Sequence, residues 1–331
     1  MPSVLISSEG RLDRHGPHVD LFRSAGFDVR YTQGLDFPRG LSGDEATIEQ
    51  LRGVAAVLAW GEKYTRGVLA ALPELRVIAR LGVGLDSVDI AAATERGIAV
   101  TVTPTANHEA VAEHAMALLF AVAKSIPRDD KATRAGEWPV QMHQPIRGKT
   151  LGIVGLGRIG RDTALRALAM RMRVIATEKY TDQAFVEQHG IELVDLGALL
   201  ARSDYVSLHC PLTEETRGLI NRQRLAQMRP DSVLINTARG GLVVEEHLLE
   251  ALTAGQLRGA ALDVFEREPA AAGNPLFQLD NVVVSAHTAG IDTVAMENMG
   301  IEAAQCIIDL SRGQWPDEAA VNGDLKKAWK W

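Results

Sequence analysis

The chain has 331 residues, 46% hydrophobic and 23% charged, a soluble globular balance in a length that exceeds one compact core. A formal charge of -7, with no offsetting run of Lys or Arg, argues against nucleic acid as a partner. The longest apolar run, Ala115 to Ala123, is far short of a membrane span.

In chain order, five short apolar segments read as strands: "SVLIS" (3–7), "FDVRYT" (27–32), "VAAVLAW" (54–60), "LRVIARLG" (75–82) and "IAVTVTP" (98–104). Between them "ATIEQLRG" and "DIAAATERG" read as helices, the second closed by Gly97 at its C-terminal cap. Strands separated by helices imply a parallel sheet covered on both faces. "EAVAEHAMALLFAVAKSI" (109–126) then interrupts the alternation with one long helix, apolar nearly all round. Such a helix is buried, and its place between two domains with cores of their own predicts a subunit interface.

Alternation resumes with "KTLGIVGLG" (149–157), "RVIATE" (173–178), "DYVSLHC" (204–210), "SVLINTA" (232–238), "GAALDVF" (259–265) and "VVVSA" (282–286). Six strands are what a dinucleotide-binding doubly wound sheet requires. A final helix over about 292–312 precedes the polar tail "KKAWKW".

"GIVGLGRIG" sets Gly155, Gly157 and Gly160 in G-x-G-x-x-G spacing, directly after an apolar strand and opening an amphipathic helix. The first glycine permits the tight turn, the second admits a pyrophosphate to the backbone, and the third lets helix and strand pack closely. The amides at the helix start, Arg158 and Ile159 included, then face negative charge. The next strand ends "VIATEKY", which places Glu178 to hold the adenosine ribose hydroxyls. A carboxylate there repels a 2′-phosphate, so NAD is expected over NADP, although Lys179 beside it pulls the other way.

Three later strands end in charged or titratable residues. Arg239 follows "SVLINTA", Asp263 lies within "ALDVFEREP" with Glu266 and Glu268 after it, and His287 follows "VVVSA". In an open parallel sheet all carboxyl ends lie on one edge, where ligands bind. Arg239, Glu268 and His287 are therefore predicted to converge where the phosphate cradle opens. Hydride removal from an alcohol carbon needs a group to take the hydroxyl proton, and an imidazole suits that task. The glutamate holds the ring, and the arginine grips a carboxylate bidentately. Alone, His287 has a plainer reading as a core histidine; its two charged neighbours favour the catalytic one.

The other histidines take plainer readings. His108 and His114 stand six residues apart, so their rings fall on nearly opposite helix faces and form no metal site with Glu109 and Glu113. His209 is expected to line the cofactor cleft without chemistry. His15, His18, His143, His189 and His247 fall in polar surroundings and read as surface. Cys210 and Cys306, without C-x-x-C spacing, read as two thiols in a reducing compartment. "MPSVLISSEGRLDRHG" shows no cationic leader before an apolar stretch, so a cytoplasmic location is expected.

These motifs resemble the D-isomer-specific 2-hydroxyacid dehydrogenases, and within them the phosphoglycerate dehydrogenase-like branch. The resemblance is carried by "ARLGVGLDSVD" (79–89), "TPTANHEAVAEHAMALL" (103–119), "GKTLGIVGLGRIG" (148–160), "LHCPLTEETRGLI" (208–220), "LINTARGGLVVEEHLLEAL" (234–252), "GAALDVFEREP" (259–269) and "SAHTAG" (285–290). Several long blocks in one order are far more specific than any one of them. The resemblance implies an α/β fold of two doubly wound parallel-sheet domains with a cleft between them. A flavodoxin-like substrate-binding domain takes 1–104 plus 288–331, and a Rossmann NAD-binding domain takes 105–287. It implies Arg239, Glu268 and His287 as the catalytic residues, Leu81 to Gly84 (Leu81, Gly82, Val83, Gly84) as a carboxylate-binding loop, and Asp263 as partner of the nicotinamide carboxamide. His209, Cys210, Pro211, Thr216, Thr237, Ala238 and Gly290 are expected around the dinucleotide as well.

Some positions depart from the family pattern: Glu178 where aspartate is common, Ser87 where asparagine is frequent, and "VNGD" after the last helix. No regulatory extension is expected. Arg80, just before the loop, is a candidate for holding a second anionic group such as phosphate or sulfonate. The expected function is NAD-dependent hydride transfer at C2 of a D-2-hydroxy acid or 2-keto acid, in a homodimer built on the 109–126 helix. A formate- or phosphite-type dehydrogenase, or an NAD-sensing corepressor on the same fold, are the alternatives.

Overall fold

The structure is a computed structural model that describes residues 1–331 other than Glu9. The chain divides into two units, Met1–Asn107 with Ile291–Trp331, and His108–Gly290.

In the first unit β1 (Ser3–Ile6), β2 (Asp28–Tyr31), β3 (Ala56–Ala59), β4 (Val77–Arg80) and β5 (Ala99–Thr101) form a parallel sheet in the order β2-β1-β3-β4-β5. The central strands are short unbroken apolar runs because helices cover both faces, so every side chain meets a core. Leu5, Val57, Ile78 and Val100 share one such core with Leu51, Tyr64 and Leu69. The helix Ile90–Glu95 begins where the Asp89 carboxylate accepts from the Ala92 amide at 2.8 Å. It ends at Gly97, whose φ of +67° suits the residue past a helix end. The late helix Thr293–Ser311, capped by Asp292, lies against the helix Pro17–Ser24 and against β3 and β4. Ala320 then pairs with Thr101 at the β5 edge, and the buried Asn322 side chain bonds the Val100 amide and the Ile98 carbonyl, each at 2.9 Å. Residues from Ile291 onward thus return to the N-terminal sheet.

The second unit holds β6 (Thr150–Val154), β7 (Arg173–Thr177), β8 (Glu192–Leu193), β9 (Tyr205–Leu208), β10 (Val233–Asn236), β11 (Gly259–Leu262) and β12 (Val282–Val284). All are parallel, in the order β12-β11-β10-β9-β6-β7-β8, so the chain reverses direction across the sheet between β6 and β9. Seven strands stand where six were expected. The seventh, β8, is a two-residue edge strand with both residues exposed, and offers no apolar run to read.

The predicted helix 109–126 is two. His108–Ala123 ends, Ser125 takes a left-handed φ of +51°, and Ile126–Arg134 leaves at 57°. Pro127 is the cause: it lacks the amide a continuing helix needs, yet fits the first turn of a new one. The first helix packs within its own unit on β10, β11 and β12 and on the helix Arg158–Ala169. Met116, Leu118, Leu119 and Val122 share a core with Leu151, Ile153 and Ala164. Its apolar surround is accounted for by one chain. No single helix among the described residues is long and apolar enough to cross a membrane.

Candidate active site

The three central carboxyl ends of the second sheet build a dinucleotide cradle. Gly155 closes β6 with φ +96°, and a Cβ there would lie 2.6 Å from the Cys210 amide at the end of β9. At Gly160 a Cβ would collide with the Gly155 carbonyl, so the helix Arg158–Ala169 sits against its strand only because both residues are glycine. Gly157, which caps that helix, has open space where a Cβ would stand, and Arg158 beside it is exposed. The helix therefore presents unobstructed amides to an anion.

Glu178 ends the next strand and folds over this turn. Its carboxylate accepts from the Leu156 amide at 2.6 Å and the Tyr180 amide at 2.9 Å. Lys179 turns to Glu215, 3.3 Å away. At the neighbouring strand ends two buried polar atoms have no protein partner, His209 Nδ1 and Thr237 Oγ1. His209 Nε2 lies 2.9 Å from Ser207 Oγ, and burial pushes the imidazole down to about 4. Burial also raises the Cys210 thiol to about 11, so it is an inert lining group. Thr216 bonds its own turn, to the Pro211 carbonyl at 2.7 Å. An open glycine turn, a strand-end carboxylate and two unpartnered buried donors or acceptors fit a dinucleotide.

Farther along the same edge, His287 Nδ1 lies 2.6 Å from Glu268 Oε2, and Glu268 Oε1 accepts from the Phe265 amide at 2.9 Å. Burial raises the Glu268 carboxyl, but the His287 hydrogen bond and charge, the Phe265 amide and the Arg239 charge outweigh it and hold the group below its ordinary value. Arg239 leaves β10 extended and is placed by Asn236, whose side-chain amide donates to the Arg239 carbonyl at 2.8 Å. Gly240 after it has no room for a Cβ against the Phe265–Glu266 backbone, which brings the β10 and β11 loops together. The three residues predicted from three strand ends meet on one edge. His287 itself adopts φ +53°, rare for a residue with a side chain and costing roughly 1–3 kcal/mol unless its surroundings enforce it.

Asp263 supplies that enforcement. The side chain has no exposed surface; Oδ1 accepts from Ser285 Oγ at 2.5 Å and the Thr288 amide at 2.9 Å, and Oδ2 from the Ala289 amide at 2.9 Å. The Asp263 carbonyl takes the His287 amide at 2.7 Å. Asp263 thus holds the loop from His287 to Gly290. His114 joins this network, 2.9 Å from Ser285 Oγ and 3.5 Å from Asp263. The signal for it was available: His114 shares a helix face with the buried Ala110 and Leu118, four residues to either side.

In the first unit, two expectations about the loop after β4 change. The Leu81 amide bonds the Ala59 carbonyl at 2.9 Å, and the Gly82 amide bonds Thr103 Oγ1 at 2.8 Å. Among the described residues the amides left for an anion are those of Val83 and Gly84, and Val83 is exposed. Arg80 donates to the Gly84 carbonyl at 3.1 Å and to the Trp60 carbonyl, and its charge bears on the fully buried Glu62. It braces the loop.

Two further histidines differ from expectation. His18 is buried, with neither ring nitrogen partnered, because it shares the inner face of the helix Pro17–Ser24 with Val19 and Phe22. His108 does not pair with His114; its Nε2 lies 3.5 Å from Asp162, close to Glu109.

A glycine cradle at the reversal point of a parallel sheet, with an arginine, a glutamate and a histidine on the same edge, defines a dinucleotide-binding α/β protein. Residues 116–289 match the NAD binding domain of the D-isomer specific 2-hydroxyacid dehydrogenases, and the chain belongs to that family. It is 40% identical over 306 residues to the D-3-phosphoglycerate dehydrogenase of Archaeoglobus fulgidus, covering 92% of this chain and 57% of that protein. It is 41% identical over 266 residues to the glyoxylate reductase of Korarchaeum cryptofilum, covering 78% of this chain and 80% of that one. A crystal structure of a Thermus thermophilus protein superposes with a TM-score of 0.84 at 34% identity, covering 96% and 99% of the two chains. The chain spans little more than half the length of the phosphoglycerate dehydrogenases it matches.

Proposed function

We propose that the protein is an NAD-dependent oxidoreductase that interconverts a D-2-hydroxy acid and the corresponding 2-keto acid. The observation that carries this reading is the short His287–Glu268 contact beside Arg239, on the sheet edge that holds the glycine cradle. A bound nicotinamide supplies the hydride acceptor or donor. His287 Nε2, opposite the nitrogen that Glu268 engages, takes the hydroxyl proton in oxidation and returns it in reduction. Glu268 fixes the ring plane through its contact with Nδ1. Arg239 grips the substrate carboxylate and polarises the oxygen at C2. Glu178 favours NAD, since its carboxylate occupies the position a 2′-phosphate would need.

Two free thiols suit a reducing, cytoplasmic setting. The same reading includes a homodimer. We assign its contact to the 109–126 helix region, which ends at the exposed Ile126.

The test is a panel of 2-keto acids followed by loss of NADH absorbance: glyoxylate, hydroxypyruvate, phosphohydroxypyruvate and sulfopyruvate. Turnover of at least one by the wild-type chain, lost in His287→Ala, is the expected result. No turnover with any of them, together with dinucleotide-dependent capture of a protein partner, would replace the enzyme with a binding protein.

A further inference from the structure

The loop that carries His287 is held by a chain of three side chains, all in the second unit. His114 Nε2 lies 2.9 Å from Ser285 Oγ, and Ser285 Oγ lies 2.5 Å from Asp263 Oδ1. From Asp263 the contacts pass to the backbone, through the Thr288 and Ala289 amides at 2.9 Å each and the His287 amide at 2.7 Å.

The chain has a direction. The Asp263 carboxylate accepts from Ser285 Oγ and from the Thr288 and Ala289 amides, while its backbone carbonyl accepts from the His287 amide, so the Ser285 hydroxyl proton points toward the carboxylate. Ser285 Oγ then offers only lone pairs to His114, and the proton between them belongs to His114 Nε2. An imidazole protonated on Nδ1 alone would set lone pair against lone pair. His114 is thus a donor that fixes Ser285, which fixes Asp263, which fixes the backbone on either side of a left-handed His287.

We propose that His114 is a positioning residue for His287, acting through Ser285 and Asp263 to hold the proton-transfer imidazole where it faces the substrate. The proposal rests on the reading of His287 as the proton-transfer group. Loosening the clamp lets the loop leave its left-handed turn, and a displacement of about 1 Å at a reacting group costs on the order of 10²-fold in rate. The glycine cradle, which lies on other strands, is untouched and continues to hold the pyrophosphate.

The test compares the full-length wild type with His114→Phe, His114→Gln, Ser285→Ala and the His114→Phe/Ser285→Ala double variant, using NADH and the best acid of the panel. Phenylalanine fills the space without a donor, whereas glutamine keeps one. We expect His114→Phe to lower kcat by about 10-fold or more, with the Kd for NADH within about twofold of wild type by fluorescence titration. His114→Gln should recover most of the loss. The double variant should be no slower than the worse single one, since both cut the same chain. Where His114→Phe does not fold, Ser285→Ala must show the same fall in kcat at constant NADH affinity, with His114→Gln near wild type. Unchanged kcat in His114→Phe, a glutamine variant as slow as the phenylalanine one, or additive losses overturns the proposal while leaving the enzyme reading intact. A wild type inactive on the whole panel, or a His287→Ala variant with full turnover, overturns the enzyme reading itself.

Discussion

His287 Nδ1 and Glu268 Oε2 lie 2.6 Å apart at the ends of two strands that are neighbours in the sheet but whose contact residues are 19 apart in sequence. A contact that short between an imidazole and a carboxyl held below its ordinary pKa is charge-assisted, and it leaves Nε2 as the free working nitrogen.

The first prediction concerns Glu268→Gln. The amide keeps a partner for Nδ1 but no charge, so the protonated imidazole loses support and kcat should fall about 10-fold or more. Stability carries a second signature. The native carboxyl titrates below its unfolded value of 4.5, so its contribution is present above that pH and is lost as pH falls through the lower native value. Melting temperature measured from pH 6 down to pH 3 should therefore drop less steeply in Glu268→Gln than in wild type. Equal acid slopes would show that Glu268 is not held ionised by the fold.

How much of this was legible beforehand follows from what a strand end can tell. Arg239, Glu268 and His287 were placed together because a parallel sheet puts all its carboxyl ends on one edge, a rule that needs no side-chain coordinates. The glycine turn was legible for the same reason, since its spacing is dictated by backbone clearance at Gly155 and Gly160. The burial of His18 and the hydrogen-bond partners of Asp263 and Arg80 were hidden, because they depend on which way a side chain turns. Arg80 turns back to the Gly84 and Trp60 carbonyls, and Asp263 turns under the loop that follows β12. The partner of the helix His108–Ala123 was equally hidden: an all-round apolar surface says that something covers it, and here its own sheet does.

Glu178 should decide the cofactor. Its carboxylate is bonded to the Leu156 amide of the glycine turn, and the proposed NAD preference rests on its repelling a 2′-phosphate there. Glu178→Ala should raise kcat/KM for NADPH by about 10-fold and lower it for NADH by a similar factor, a swing of roughly 1.4 kcal/mol in each direction. Steady-state kinetics with both cofactors check it. A variant that still ignores NADPH would move the discrimination to another residue.

Arg80 should behave as a brace. Because its guanidinium is engaged by the Gly84 and Trp60 carbonyls, Arg80→Ala loosens the 81–84 loop for every substrate alike. Hydroxypyruvate and phosphohydroxypyruvate should lose kcat/KM by factors that agree within about threefold. A loss confined to the phosphorylated acid would restore Arg80 as the holder of a second anion.

The last prediction is a pH dependence set by His209. Its ring is enclosed at the end of β9 and burial lowers it from 6.5 to about 4, so the native state takes up this proton only below that value. The unfolded chain takes it up below 6.5. Between the two the unfolded state binds more protons, and stability falls as the solution is acidified; above the unfolded value the group contributes nothing. At pH 5 the loss from this one ring is about 2 kcal/mol. That pH lies above the window in which Glu268 is protonated, so the two effects separate. Asn in place of His209 offers Ser207 a side-chain amide and does not titrate. Thermal midpoints at pH 7.5 and pH 5, without dinucleotide, should fall further in the wild type than in His209→Asn. Equal falls would mean that the ring takes its proton inside the fold, and that the unpartnered Nδ1 has found an acceptor there.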